Sequence, residues 1–216
     1  MDDVNFARPR GRPPLPFDRI LGTALDLVDE CGADALSMRS LAQRLGSGTA
    51  TLYRHFGDRA ELIAMVVDRM LGEVTIDARQ PWDRACIAFA HSMFDALSRH
   101  GNVASLLVGH VPMGANALAH REAVLSLLLE NGFSGRTAAR TYATLSRYVL
   151  GFAMQVRGSA STERDEDELA AAFGRLDPER YPATSAAAGA LPVSLADEFD
   201  FGLRLLVSGL RRLEPR

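Results

Sequence analysis

Lysine is missing from all 216 residues, so every one of the 24 basic side chains is arginine. A GC-rich coding bias leaves that pattern, and whatever its origin it supplies planar, bidentate donors suited to phosphate and guanine. Cysteine is nearly absent too. Cys31 and Cys86 stand alone in apolar-periodic segments, with no CxxC neighbour and no histidine at metal spacing. A disulfide scaffold is therefore excluded, and buried, reduced thiols in a cytoplasmic protein are the expectation. His91, His100, His110 and His120 recur at nine or ten residues, which is not a chelating helical spacing, so no metal is expected. No apolar run is long enough for a membrane span, and the polar, proline-rich start "MDDVNFARPRGRPP" is not a signal peptide. The net charge of −3 gives no overall attraction to nucleic acid or anionic membranes, so local charge must decide. There is no GxSxG, P-loop, HExxH or pair of carboxylates in an apolar segment, so neither an enzyme nor a cofactor is expected.

What is present is helical. With 47% apolar and 24% charged residues the chain is of ordinary globular composition, and no strand-like alternation with hairpin turns occurs. The expected fold is all-α, in three units: a flexible Arg/Pro-rich arm over 1–16, a small three-helix head over 17–62, and a larger helical body over 63–216. In the head, Ile20, Ala24, Leu27, Val28 and Cys31 mark a first helix that Gly32 ends. Ser37 is a good N-cap for a second, with Leu36 and Leu41 placed to staple across it. After the turn Gly46-Ser47-Gly48 a third helix is expected over 49–56. Asp58 and Glu61, spaced as a capping box, start a fourth that reaches toward residue 75. Further helices are expected over 82–100, 113–131, 135–157, 165–175 and 194–213, with a short piece near 102–109. The acidic run "ERDEDE" should be a solvated helix, followed by a mobile loop to residue 192.

Two short helices joined by a three-residue glycine-containing turn are the signature of a helix-turn-helix. On a 3.6-residue wheel Leu52 and Phe56 point inward. Ala50, Thr51 and Arg54 lie roughly opposite, flanked by Tyr53 and His55. That division suits a recognition helix, whose outward side chains must reach base edges in the major groove. The small Ala50 allows close approach, and its methyl can touch that of thymine. Ser37 and Arg39 stand at the start of the second helix, where a phosphate could be met, and Arg59 follows the third. In the arm, Arg10 and Arg12 flank a glycine within "PRGRP", a form suited to a narrow minor groove, although a solubilising tail has the same composition.

The stretch "FDRILGTALDLVDECGADALSMRSLAQRLGSGTATLYRHFGDRAEL", residues 17–62, resembles the N-terminal domain of the tetracycline-repressor (TetR) family. The combination of "ALSMRSLAQRLG" with "LYRHF" carries the likeness. Farther on, "NGFS", "YVLGFAMQ" and "EFDFGLRLLVSGL" are similar to the family's regulatory domain. The resemblance implies a ligand-responsive repressor that binds a palindromic operator in double-stranded DNA as a homodimer. It implies that Thr49, Thr51 and Arg54 meet base edges, that Tyr53, His55 and Arg59 meet phosphates, and that Arg39 and Ala50 lie in the contact. The chain departs from the family at the turn, where Ser47 and Gly48 replace an apolar residue and a serine. Capping of the third helix is expected to shift to Ser47 or to be lost.

In the body, Ala138, Tyr142, Leu145, Val149, Phe152 and Val156 form one apolar seam, and Phe199, Leu203, Leu206, Leu210 and Leu213 another. Pairing these across a two-fold axis, with Gly202 and Gly209 permitting close approach, would make the homodimer through helices near 135–157 and 194–213. Packing of the same stripes within one chain is the alternative. The resemblance also points to a small-organic-molecule pocket walled by Phe89, Met93, His110, Met113, Asn116, Tyr142 and Arg147. Arg147, set in an apolar seam, would need a carboxylate. The metal-binding histidines of the tetracycline repressors proper correspond here to Thr75 and Leu107, so magnesium–tetracycline is not the expected ligand. The other functional reading is a helical small-molecule-binding protein whose head does not bind DNA.

Overall fold

The computed structural model describes residues 15–108, 110–156 and 163–213, and among them no strand occurs. Helix α1 (Phe17–Cys31) starts behind Pro16, which fixes φ at −60° and has no N–H to satisfy. Its stripe Ile20, Ala24, Leu27 and Val28 is buried, and Gly32 ends it at φ +86°, its N–H bonded to the Val28 carbonyl. A 3-10 turn (Ala33–Ala35) leads to α2 (Met38–Arg44). There the Ser37 hydroxyl accepts from the Ser40 N–H at 3.0 Å while the Ser40 hydroxyl accepts from the Ser37 N–H at 3.0 Å. Gly46 takes φ +61°, and α3 (Thr49–Leu52) follows. This helix is one turn long rather than the two expected. Its end tightens, with the His55 N–H bonded back to Leu52 over three residues at 2.8 Å, and that folds Phe56 into the core.

Helix α4 (Arg59–Leu71) links head to body and stops short of residue 75. Asp58 accepts from the Glu61 N–H at 2.9 Å, and Glu61 reaches back to the Gly57 N–H at 2.6 Å, one residue beyond an ordinary capping box. The body comprises α5 (Trp82–Arg99), a 3-10 turn (Ala104–Leu107), α6 (Ala115–Glu130), α7 (Gly135–Val156), α8 (Glu163–Gly174), α9 (Pro182–Ala187) and α10 (Leu195–Arg211). The segment expected as a mobile loop before residue 192 therefore contains a short helix and a 3-10 turn, started by Pro182 in the first helical turn and continued by an alanine run.

One continuous core runs through head and body. Ile20, Leu36, Leu41, Leu52, Phe56 and Leu62 close the head, and Met70 carries α4 into the body, where α5 packs on α7 and α10. Phe199 gathers rings around it, with Phe94 stacked at 4.4 Å and Phe152 edge-on at 5.4 Å. The Tyr148 hydroxyl donates to the Phe199 carbonyl at 2.7 Å, and a Cβ at Gly202 would overlap that hydroxyl. Glycine here lets the Tyr148 hydroxyl keep its place on the Phe199 carbonyl as α10 packs on α7 within one chain.

Two expectations are corrected. Ala138, Leu145, Val149 and Phe152 of α7 are buried inside the chain, as are Phe199, Leu203 and Leu210 of α10, so the predicted dimer seams are mostly intrachain core. Among the described residues, the large apolar side chains left outward on α7 and α10 are Met154, Phe201 and Leu205, at 45%, 61% and 58% exposure; Leu213 of the predicted seam, just past α10, is also exposed, and Gly209 faces open space. Cys31, the last residue of α1, is exposed rather than buried. Cys86 is buried as expected, and burial, with Asp83 nearby, pushes its thiol up to about 12.

Head and body are also joined by polar contacts. His100 Nδ1 lies 2.7 Å from Asp29 of α1 and Nε2 lies 3.0 Å from Glu73, just past α4. Asn102 donates to the Asp29 carbonyl at 2.8 Å, and Arg99 donates to Glu73 at 2.9 Å. Asp68 of α4 accepts from the backbone N–H groups of Asn116 (3.2 Å) and Ala117 (3.0 Å), so a carboxylate on the linking helix caps α6.

Candidate functional site

The head presents one polar face. Leu52 and Phe56 are sealed in the core at 0% and 1% exposure, and that fixes the roll of the 49–56 segment. Thr49, Ala50, Tyr53 and Arg54 are consequently exposed, with Thr51 and His55 half-buried at its margins. His55 is less outward than the wheel implied, because its ring packs 5.8 Å from Phe17 at the start of α1. Gly48 opens α3 without a side-chain cap, and the Ser47 hydroxyl is buried with no partner. Of the two outcomes expected at this turn, the cap is lost. Arg39 is exposed on α2 beside this face, whereas the Ser37 hydroxyl is engaged by Ser40. Arg59 is committed as a brace: its Nε donates to the Leu36 carbonyl at 2.7 Å and its Nη2 to Ala33 at 3.2 Å. It ties α4 to the turn before α2. Arg10 and Arg12 lie outside the described residues.

The seven pocket candidates separate into groups. Phe89 and Met93 are buried on α5, and Phe89 stacks on half-buried Tyr142 of α7 at 6.3 Å. Two side chains that the sequence reading did not select complete this cluster. His120 sits 6.1 Å from Phe89, with Nε2 3.1 Å from the Val74 carbonyl. Burial lowers its pKa, against the opposing effects of that carbonyl and of Asp68. The Arg121 guanidinium lies 5.5 Å over the Tyr142 ring and donates to the Pro112 carbonyl at 3.0 Å.

His110 and Met113 belong to the chain entering α6, and Asn116 to its first turn. They line a different space, a cleft of about 1100 Å³ between that segment, α4 and the start of α1. Asn116 there donates to the Asp68 carbonyl at 2.9 Å. Met113 reaches both groups, its sulfur 3.5 Å from Arg121. Arg147 joins neither. It is exposed on α7 with Nη1 3.5 Å from the Ala143 carbonyl, so it needs no buried carboxylate.

An exposed recognition face on a braced three-helix head, tied through one helix to a body with an aromatic and cationic cluster, is the arrangement of a regulator. Known proteins share the fold and the sequence pattern. Residues 20–66 match the family described as bacterial regulatory proteins, tetR family, and residues 77–213 match the tetracyclin repressor-like C-terminal domain. An HTH-type transcriptional regulator of Saccharopolyspora erythraea is 31% identical over 211 residues, covering 93% of this chain and 86% of the relative. The tetracycline repressor protein class A of Escherichia coli is 31% identical over 209 residues, covering 94% of each. Among solved structures, the TetR family protein ActR of Streptomyces coelicolor in complex with actinorhodin superposes with a TM-score of 0.84 at 31% identity, covering 95% of this chain and 99% of that one. The reading of a head without DNA-binding activity loses its basis, since the DNA-binding part matches in its own right. The chain belongs to the TetR family and is a ligand-responsive, DNA-binding transcriptional regulator.

Proposed function

We propose that the chain is a homodimeric repressor whose two heads, residues 17–62, read the halves of a palindromic operator, and whose body, residues 63–216, releases it on binding a small organic molecule. The observation that carries the reading is the division of one short segment. Leu52 and Phe56 are locked inside while Thr49, Ala50, Tyr53 and Arg54 stand exposed together. Thr49, Thr51 and Arg54 are assigned to base edges, and Arg39, Tyr53 and His55 to the backbone. Arg59 acts chiefly by holding α4 to the head. The two heads must lie roughly 34–36 Å apart to reach successive major grooves. Association of α7 and α10 with their copies through Met154, Phe201 and Leu205 would set that spacing.

For the effector, the Phe89, His120, Arg121 and Tyr142 cluster favours a flat aromatic molecule carrying hydrogen-bond acceptors. The complex of ActR with actinorhodin supports an organic effector in this architecture. The signal would pass to α4 through Asp68, which holds the first turn of α6.

Fluorescence anisotropy with DNA flanking the chain's own gene, at fixed salt, tests the docking. Arg54→Ala should reduce discrimination against a mismatched base by about 1–3 kcal/mol and leave non-specific binding intact. If the variant discriminates as the parent does, the docking is wrong. A thermal-shift screen of aromatic small molecules, followed by operator release with each hit, tests the effector.

A further inference from the structure

The cleft of about 1100 Å³ between head and body is not used by the recognition face or by the Phe89–Tyr142 cluster. Its walls are apolar: Phe17, Ile63 and Val67 on one side, Val108, Val111 and Pro112 on the other. Phe17, Val108 and Val111 remain 40%, 50% and 67% exposed, which leaves a large apolar surface uncovered next to the head. Three carboxylates, Asp18, Glu61 and Asp68, line the same cleft. Each is engaged once or more, but a carboxylate offers about four acceptor positions, and capacity remains. Its two arginines are less available. Arg59 is spent on the Leu36 and Ala33 carbonyls, and Arg69 lies 3.9 Å from Asp18.

The described chain begins beside this cleft: Phe17, two residues after the first described residue Leu15, is itself one of its walls. The fourteen residues before Leu15 reach about 45 Å when extended. The cleft follows α4 from Arg59 to Arg69, about 15 Å at the helical rise. That segment carries Val4 and Phe6 for apolar walls and Arg8, Arg10 and Arg12 for carboxylates. We propose that the chain's own N-terminal arm, residues 1–14, docks in the cleft between head and body when no DNA is bound. Tethering supplies an effective concentration on the order of millimolar, so modest contacts suffice. Docked there, Arg10 and Arg12 are withheld from the minor groove, and the cleft and the operator compete for one arm. This step rests on the DNA reading above, but docking itself does not.

Limited trypsin digestion of the full chain without DNA tests it. Arg8 and Arg12 each precede proline and resist cleavage, so Arg10–Gly11 is the susceptible arm bond. It should be cut at least about tenfold more slowly than in a synthetic peptide of residues 1–20, because cleavage tracks the undocked fraction. Val111→Arg, at an exposed position, and Phe6→Ser should each restore the peptide's rate. Cleavage at that rate in the parent overturns the proposal, as does protection that neither variant relieves. A third result also overturns it: cleavage indifferent to Val111→Arg, with an added amphiphile raising the melting temperature of the parent and not of that variant, would make the cleft a small-molecule site. Because DNA is absent, failure here leaves the operator reading standing, and loss of Arg54-dependent discrimination would leave arm docking standing.

Discussion

Asp68→Ala is the most informative single change in the body. The carboxylate accepts the backbone N–H groups of Asn116 and Ala117 at 3.2 and 3.0 Å and the Asn116 amide at 3.2 Å, from a half-buried position on the linking helix. Loss of an N-cap alone costs about 1 kcal/mol, and bonds to a charged acceptor are worth about 1.5–3 kcal/mol. These overlap, so the substitution should cost about 2–3 kcal/mol. For a chain of this size that lowers the melting temperature by roughly 4–12 °C at fixed protein concentration. Asp68→Asn, which keeps one acceptor oxygen and loses the charge, should fall between. Gly114 supplies an internal check, because a Cβ there would overlap the Asp68 carboxylate. Gly114→Ala should therefore be costly in the parent and only partly relieved beside Asp68→Ala, because the Asp68 Cβ that remains would still lie 2.6 Å from the new methyl; a double-mutant cycle reads the part of the clash due to the carboxylate. In anisotropy measurements Asp68→Ala should still bind operator but release it less with effector. A melting temperature within about 1 °C of the parent, with release unchanged, would refute both the cap and its role in transmission.

The exposed apolar pair on α10 predicts that Phe201→Asp combined with Leu205→Asp yields a monomer in sedimentation velocity with unchanged helical circular dichroism. By contrast, Leu203→Ala, at 1% exposure, should cost about 2–5 kcal/mol of folding stability in chemical denaturation. A double variant that stays dimeric places the interface elsewhere. The two thiols should differ sharply: the thiolate is the reactive form, and burial holds Cys86 near 12. Native protein at neutral pH should thus react with an aromatic disulfide at Cys31 alone, and Cys86 should follow only in denaturant. Rapid reaction at both would contradict the burial.

The head was legible because its signals are local. Ser37, Gly32, Gly46 and Asp58 do what their side chains or backbone freedom dictate over three or four residues, and the apolar period of α1 matches its buried stripe. Periodicity misled where a helix is apolar on more than one side. In α10 the stripe Phe199, Leu203 and Leu210 is real, but the core claims it first, and Phe201 and Leu205 lie on a second face that a single-seam reading does not separate. Cys31 fits the stripe of α1 yet sits in its last turn, where Gly32 turns the chain away from the core. His120 and Arg121 are adjacent on α6, a helix whose apolar residues are spread around its circumference, so no face marked them. Their importance appears only when α5 and α7 bring Phe89 and Tyr142 alongside.

These contacts also determine how a signal can leave the body. Helix α4 is fixed at three levels. Arg59 ties its beginning to the Leu36 and Ala33 carbonyls, Asp68 ties its last turn to α6, and Glu73 just beyond its end meets Arg99 and His100. His100 also holds Asp29, so α1 is fixed to the same point as α4. The α1 and α4 helices also pack on each other, with Ile20, Leu62 and Val66 fully buried, which opposes absorbing a shift of α6 by bending between them. These ties favour movement of the head as one piece. A packed core of this kind repacks between discrete arrangements rather than deforming smoothly. Displacing the first turn of α6 by an effector at Arg121 and Tyr142 would thus change the separation of two recognition faces while leaving each face intact. Release would then follow from geometry between the heads, and a monomeric full-length variant such as Phe201→Asp with Leu205→Asp should keep its base preference whether or not effector is bound.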